Sequence, residues 1–563
     1  MQATSLGDLL RKQAAKYGSK PAILAPSKEG FQPTSYAEMA DLVRGYAGAL
    51  KALGIQRGDK VAILSENCPE WALADWACSS LGVVSVPVYP SLPADQAQYI
   101  VCDADASLVL TGDEEQLKKV ATLDSVRAIL LRGADSISEM SRTSDLTEEA
   151  WHREIDQTSR KDLFTIIYTS GTTGQPKGAM LAHEVPLHVC ESAVKRLPLH
   201  DTDVFLSFLP MSHVYERIAG QVLPIQMGAT IAYAKNLASL AGDMQKVKPT
   251  IMLCVPRFLE AFADKVNSAM EKEGGLKKRL YDLALSQGVK KAQGKFAPLS
   301  GFTDKLVMSK IRDRTGGRLR FFVSGGAALP PHVAEFLLAT KLGVLQGYGL
   351  TETGGGTCIN HPDRNKYWTV GEPLDMEVTI AEDGEILLRG PGIMNGYYNL
   401  PEDTAQVIDQ EGWFHTGDIG EMEGQSLKIT DRKKDIIVLG NGKNVAPQPI
   451  ENKLKQSPFI SEAVVLGDAM DACAALIIPN FEAVRKELGL PETALLSESD
   501  EARKLIKLEI DKTNKTMAPF EMVKKHAILD QPFSQETGEM TPTLKVKRKV
   551  VKEKFAQQIA SLR

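Results

Sequence analysis

Leu163-Phe164-Thr165-Ile166-Ile167-Tyr168-Thr169-Ser170-Gly171-Thr172-Thr173-Gly174-Gln175-Pro176-Lys177-Gly178 runs from an apolar stretch into a loop rich in glycine and hydroxyl side chains. The apolar run 163–167 is short enough to read as a buried strand. Gly171, Gly174 and Gly178 let backbone N–H groups come close to a ligand, and Thr169, Ser170, Thr172, Thr173 and Lys177 can bond phosphate oxygens. The loop is not a Walker A motif: Pro176 precedes Lys177 and Gly178 follows it, where that motif needs glycine before the lysine and Ser or Thr after it. Taken alone it could equally be a flexible surface turn, so the chain around it must decide.

Upstream, helix and strand patterns alternate. Ser35-Tyr36-Ala37-Glu38 has capping-box spacing and opens an amphipathic helix toward Leu53. Residues 61–64 read as a strand, Pro69 sits at the first turn of a helix carrying Trp71, Leu73 and Trp76, and 83–88, 93–103 and 107–110 read as strand, helix and strand. Downstream, 204–209, 230–233, 251–255 and 319–323 read as strands, and 275–297 as an exposed helix rich in Lys, Leu and Ala. Such alternation predicts βαβ units and a mostly parallel sheet. Residues 378–380 and 385–389, split by Asp383-Gly384, read as a hairpin in a more antiparallel region. The charged segment 428–435 marks the expected boundary between a large domain, 1–431, and a smaller one, 432–563, with strands near 463–466 and 474–478 and a lysine-rich tail.

At 563 residues the chain needs at least two domains. Its net charge of -5 gives no domain-wide basic excess, so no nucleic-acid partner is expected. Seven scattered cysteines with no Cys-x-x-Cys pair argue for reduced thiols and against a disulfide framework or zinc site. The first residues lack a signal-peptide pattern, and the most apolar window, Ala72 to Pro90, is interrupted by Asp75 and several serines. A cytoplasmic protein is expected, with peripheral contact at a bilayer surface left open; no amphipathic anchor stands out. Monomer and homodimer both remain open.

Four further runs carry chemistry. Gln346-Gly347-Tyr348-Gly349-Leu350-Thr351-Glu352 sets a flat aromatic ring between glycines, followed by a carboxylate that could ligate Mg²⁺ or simply sit exposed on a turn. Gly412-Trp413-Phe414-His415-Thr416-Gly417-Asp418 offers an acidic acceptor for ribose hydroxyls, or a cap. Thr541-Pro542-Thr543-Leu544-Lys545-Val546-Lys547-Arg548 reads by composition as a solvated basic stretch. Ser207-Phe208-Leu209-Pro210-Met211-Ser212-His213-Val214-Tyr215-Glu216-Arg217 reads alone as a strand end with a capping histidine.

Together these runs closely resemble, in order from about residue 160 to 550, the signatures of the adenylate-forming (AMP-binding) superfamily: acyl-CoA synthetases, luciferases and peptide-synthetase adenylation domains. The stretch 207–217, with Gly390-Pro391-Gly392-Ile393-Met394-Asn395-Gly396-Tyr397-Tyr398 and the run from Gly440 to Glu451, resembles the bacterial long-chain fatty acyl-CoA synthetases. The fold this implies is α/β: a large N-terminal domain of βαβ-type sheets packed with helices, a β-rich subdomain, and a small mobile α+β C-terminal domain.

The resemblance implies ATP contacts at Thr169, Ser170, Gly171, Thr172, Thr173, Gly174 and Lys177. It puts Gly325, Gly326 and Ala327 opposite Gln346, Gly347, Tyr348, Gly349 and Thr351 around adenine. Glu352, with Thr169, would hold Mg²⁺; Asp418 and Arg432 would bind the ribose. Lys545 would approach the α-phosphate as the catalytic lysine, although the family's preceding glycine is Leu544 here. Lys434 falls at the hinge, Gly442 in the CoA channel, and His213, Gly325 and Gly349 at the acyl pocket.

The implied reaction has two halves. A fatty acid carboxylate attacks the α-phosphorus of ATP, releasing pyrophosphate, and the thiol of coenzyme A then displaces AMP from the acyl-adenylate. Rival expectations are a fatty acyl-AMP ligase loading a carrier protein, an acyl-CoA synthetase for medium-chain or aryl acids, and a luciferase-like oxygenase. An ATP-binding protein without chemistry is the rival from another class. Acyl chain length is not legible, because an apolar tunnel's closing side chain has no signature of its own.

Overall fold

The computed structural model describes residues 2–562 apart from 125, 170–174, 535 and 542–545. The chain divides into two compact units, Met1–Val378 with Leu388–Phe414, and Thr379–Leu387 with His415–Arg563. This differs from a single boundary after residue 431. The strands Phe414–Glu423 and Ser426–Arg432 pair with each other over six registered positions, from Asp418 to Arg432, and all of these go with the second unit.

The first unit holds two sheets. One has seven strands in the order Gly396–Tyr397, Lys177–Ala182, Leu163–Thr169, Val84–Val88, Lys60–Leu64, Ala106–Thr111 and Arg127–Leu130. From Leu163–Thr169 to Arg127–Leu130 the pairings are parallel, as the βαβ pattern predicts. The strand Lys177–Ala182 is antiparallel to Leu163–Thr169, so the glycine-rich loop joins two neighbouring antiparallel strands. The other sheet has nine strands, and its centre, Thr230–Tyr233, Val204–Ser207, Ile251–Cys254, Phe321–Ser324 and Gly343–Tyr348, is parallel.

Local signals explain the helices. Ser35 and Glu38 form the reciprocal capping box at the start of Tyr36–Ala52. Pro69 opens Pro69–Leu81, and Gly82 ends it at φ 66°, where a side chain would be strained. Every residue of that helix from Trp71 to Leu81 is buried, which accounts for its long apolar run. No described helix is long and apolar enough to cross a membrane, and all seven cysteines are free.

The second unit contains an antiparallel pair, Ile460–Leu466 and Cys473–Pro479, extended in parallel by Val523–Ile528. Apolar side chains cover both faces: Ile450, Leu454, Ile506 and Ile510 lie on one, and Leu529, Phe533, Val551 and Leu562 on the other.

Within the first unit, Tyr215-Glu216-Arg217 is buried. These residues lead into a π-helical turn, Glu216–Val222. Arg217 is fully buried and donates from Nε to Asp75 Oδ2 at 2.9 Å and from Nη1 to Thr165 Oγ1 at 2.7 Å. Its guanidinium also bonds the other Asp75 oxygen and Ser85 Oγ, and lies 4.2 Å from the Phe164 ring centre. Glu216 joins a different network. Gln221 Nε2 donates to Ser207 Oγ at 3.1 Å and to Glu216 Oε1 at 3.3 Å, and Tyr233 donates to Gln221 Oε1 at 2.6 Å. Consecutive side chains therefore engage the two different sheets.

Removing one partner of a buried ion pair strands the other charge, which costs about 3–5 kcal/mol. Arg217→Ala should lose stability on that scale in denaturant unfolding, and Asp75→Asn with Arg217→Met should recover part of it. Burial raises the Glu216 carboxyl from its ordinary 4.5 to about 7. Folding therefore favours the protonated form: the stability it adds is complete below pH 4.5 and is lost as pH rises through 7. Glu216→Gln should melt above the wild type at pH 8, with the gap closing by pH 5 in thermal scans.

Candidate functional site

The predicted phosphate loop is held at its two described ends. Thr169 and Lys177 are cross-strand partners, and Thr169 Oγ1 donates to the Lys177 carbonyl at 3.4 Å. Gly178 allows this approach: a Cβ there would sit 2.6 Å from Ile166 Cγ2 and 3.1 Å from the Tyr168 ring. Ser170, Gly171, Thr172, Thr173 and Gly174 lie outside the described residues, as does Lys545.

Two residues not assigned a role by sequence reasoning complete this corner. Gly396–Tyr397 pairs antiparallel with Lys177–Ala182, which brings the Tyr397 hydroxyl to Glu352 Oε1 as a donor at 2.9 Å. Met394 N–H donates to the Glu352 carbonyl at 2.8 Å. Burial and the Glu352 carboxylate push the Tyr397 phenol up, so it stays a donor. Lys177 Nζ lies 5.4 Å from the Tyr397 ring centre and pairs with Asp403. The motif Gly390 to Tyr398 contained Tyr397, but neither its contact with Glu352 nor that of Asp403 with Lys177 has a local sequence signal. They join residues 45 and 226 positions apart.

Tyr397 thus links Glu352 to Lys177, whose cross-strand partner is Thr169. The donors they offer are a carboxylate, whose second oxygen is not used by Tyr397, and a hydroxyl. Hard oxygens of this kind, few in number, suit Mg²⁺ when substrate phosphates complete its shell.

The two runs expected around adenine lie at the C-terminal ends of adjacent parallel strands, with Ser324 opposite Gln346. Ligands in open α/β sheets collect at such ends. A Cβ at Gly325 would come within 3.1 Å of the Tyr215 ring, a tight contact, and the Tyr215 hydroxyl donates to the Val323 carbonyl at 2.9 Å. Gly326 follows at φ 84°, and Gly326 and Ala327 are exposed. The Gln346 side chain supports the backbone: its Oε1 accepts from Leu329 N at 2.9 Å and its Nε2 donates to the Tyr367 carbonyl. Gly347 and Tyr348 pair with Ile359 and Cys358. A Cβ on Gly349 would overlap the Gly355 backbone, and Thr351 and Glu352 occupy the short turn Thr351–Thr353. His213 accepts from Tyr215 N at 3.1 Å through Nδ1, the capping role that its stretch suggests when read alone.

In the second unit Asp418 and Arg432 are cross-strand partners, with Arg432 Nε 3.2 Å from Asp418 Oδ1. Asp418 N donates to Thr416 Oγ1 at 3.0 Å, and Gly417 N donates to the Glu385 carboxylate at 2.8 Å, fixing the turn before the acid. Lys434 is exposed in the short turn Lys433–Asp435. Gly442 lies at φ 79° in the exposed turn between Ile437–Val438 and Asn444–Val445, where a Cβ would meet nothing. Arg548 pairs with the buried carboxylate of Glu451 and donates to the Val465 carbonyl at 3.1 Å; Met540 and Val546 form an antiparallel bridge.

Two family models match the chain. A family model described as AMP-binding enzyme matches residues 10–398, and one described as AMP-binding enzyme C-terminal domain matches 434–563. The chain is similar to long-chain-fatty-acid–CoA ligase FadD15 of Mycobacterium bovis, at 34% identity over 93% of this chain and 91% of the relative. It is similar to the peroxisomal long chain acyl-CoA synthetase 7 of Arabidopsis thaliana, at 32% identity over 94% and 81%. A solved Mycobacterium tuberculosis fatty acyl CoA synthetase shares the fold, with a TM-score of 0.67 at 24% identity over 98% of this chain and 99% of that one. With the two family models matching residues 10–398 and 434–563 in order, the chain belongs to the AMP-binding enzyme family.

Proposed function

We propose that the protein is an ATP-dependent long-chain fatty acid–CoA ligase that works through an acyl-adenylate. Family membership supports the use of ATP, and similarity along nearly the whole chain to enzymes named for long-chain acids and CoA supports the substrate class. The observation that carries the reading is that Tyr397 bonds Glu352 and lies under Lys177, the cross-strand partner of Thr169, beside the loop ends that a polyphosphate would occupy.

A carboxylate oxygen is a poor leaving group, so the acid must be activated before a thiol can take the acyl group. In the first half-reaction the carboxylate attacks the α-phosphorus of ATP and the bond to pyrophosphate breaks. In the second the CoA thiol loses its proton, its sulfur attacks the acyl carbonyl, and the bond to AMP breaks. Lys177 exchanges Asp403 for the polyphosphate, and Tyr397 orients the Glu352 carboxylate. Thr169 and Glu352 would hold Mg²⁺, which supplies charge stabilisation to the phosphoryl oxygens. Gly325 to Ala327 and Gln346 to Tyr348 would flank adenine, and Asp418 with Arg432 would take the ribose hydroxyls. Lys545 would meet the α-phosphate.

The test is carboxylate-dependent pyrophosphate release from ATP, with and without CoA, across acetate, octanoate, palmitate and benzoate. Release with palmitate, and palmitoyl-CoA once CoA is added, is the expected result; activity on acetate or benzoate alone would reject the long-chain reading. A charge placed at the transition state is worth about 3–4 kcal/mol. Lys545→Ala should therefore slow palmitate-dependent adenylation by roughly two to three orders of magnitude in single-turnover assays.

A further inference from the structure

A pocket for a polyphosphate gains from cations and loses from carboxylates. Glu352 has a reason to be an exception, since it is read as a ligand of Mg²⁺. Asp403 has no such reason. Its carboxylate pairs with the Lys177 ammonium at the described end of the phosphate loop.

Asp403 is no stray surface charge. It lies in the helix Pro401–Val407, which is fastened to the strand Gly396–Tyr397. Tyr397 N donates to Thr404 Oγ1 at 2.9 Å, and a Cβ on Gly396 would sit 2.7 Å from Thr404 Cγ2. This segment is in turn bonded to the strand that opens with Lys177. Tyr398 N donates to the Gly178 carbonyl and Asn395 N to the Met180 carbonyl, each at 2.8 Å. Backbone contacts therefore hold the helix, and Asp403 with it, against Lys177. The pair itself is soft. Its side chains are 37% and 30% exposed, so water screens it and it contributes little to folding.

A carboxylate and a phosphoryl group make the same charge-assisted bond with an ammonium. We infer that Asp403 is an internal competitor of the polyphosphate: it holds Lys177 in the ligand-free site, yields it to ATP, and takes it back when pyrophosphate leaves. The inference rests on the ATP site of the proposed ligase and deepens it. Asp403 is then a positioning residue that sets nucleotide affinity through Lys177. It also separates ligands by their phosphates. AMP keeps the α-phosphate alone, which the ligase reading gives to Lys545, so its binding does not draw on Lys177.

The measurement is calorimetric titration of the full chain with ATP and Mg²⁺, and separately with AMP, without fatty acid or CoA. Asp403→Asn keeps the side chain's shape and removes its charge. It should bind ATP about two- to fivefold tighter, the range that a part-exposed ion pair spans. It should bind AMP as the wild type does and keep the wild-type melting curve. Asp403→Ser should behave in the same way. Lys177→Gln should itself weaken ATP binding, and adding Asp403→Asn to it should change nothing further, because the competitor has lost what it competes for. Weaker or unchanged ATP binding in Asp403→Asn would overturn the inference. So would an equal gain with and without Lys177, because Asp403 would then repel the nucleotide directly, and so would an equal gain for AMP. The expected titrations without any carboxylate-dependent pyrophosphate release would keep the competitor and reject the ligase. Palmitate-dependent release with no tightening of ATP binding in Asp403→Asn would do the reverse.

Discussion

The buried pair between Arg217 and Asp75 is the constraint on which the first unit depends. A guanidinium cannot give up its charge inside a protein, so it must be fully satisfied where it lies. Here Asp75 comes from a helix buried from Trp71 to Leu81, Thr165 and Ser85 from adjacent strands of the seven-stranded sheet, and the ring of Phe164 covers one face. The next residue back, Glu216, belongs to a network with Ser207 and Tyr233 of the other sheet. A single turn of chain thereby specifies how two layers of otherwise interchangeable valines, isoleucines and leucines are set against each other. Tyr215 extends the same turn to the wall of the candidate nucleotide site, where its ring packs closely on Gly325.

The site residues inherit their positions from this arrangement. Glu352 follows a strand of the nine-stranded sheet, yet its carboxylate is held by Tyr397 from the seven-stranded one. Lys177 and Thr169 are at the end of the latter sheet, where the antiparallel pairing returns the chain on itself. Metal ligation and phosphate binding would therefore draw on both layers, and a shift between them would be felt first at Glu352.

Much of this was legible from residue patterns alone. The parallel strands and their helices are visible because apolar runs of strand length alternate with capped helical segments such as Tyr36–Ala52. The strand Lys177–Ala182 is not, because Lys-Gly-Ala-Met-Leu-Ala has little strand character; Gly178 is there for Ile166 and Tyr168, which only the fold brings near. The π-helical turn at Glu216 is equally silent, since its wider winding accompanies tertiary contacts with Asp75 and Ser207 and no local preference encodes it. The exposure of Phe296, Leu299, Phe302 and Leu306 was hidden for another reason: Met308 and Ile311 of the same segment pack inward, and periodicity reports that buried face.

The Arg548–Glu451 pair bears on how the lysine tail can behave. A loop tethered only by the chain would search space on its own, and its lysine would arrive and leave independently of the rest of the unit. Arg548 is instead locked to a buried carboxylate and to a strand carbonyl, and Val546 is bridged to Met540. Met540 and Val546, on either side of 542–545, are thus fixed to the packed body of the second unit. For the proposed reaction, a lesion at Glu451, far in sequence from Lys545, would act by loosening residues 546–548 and not by removing a charge from the phosphates.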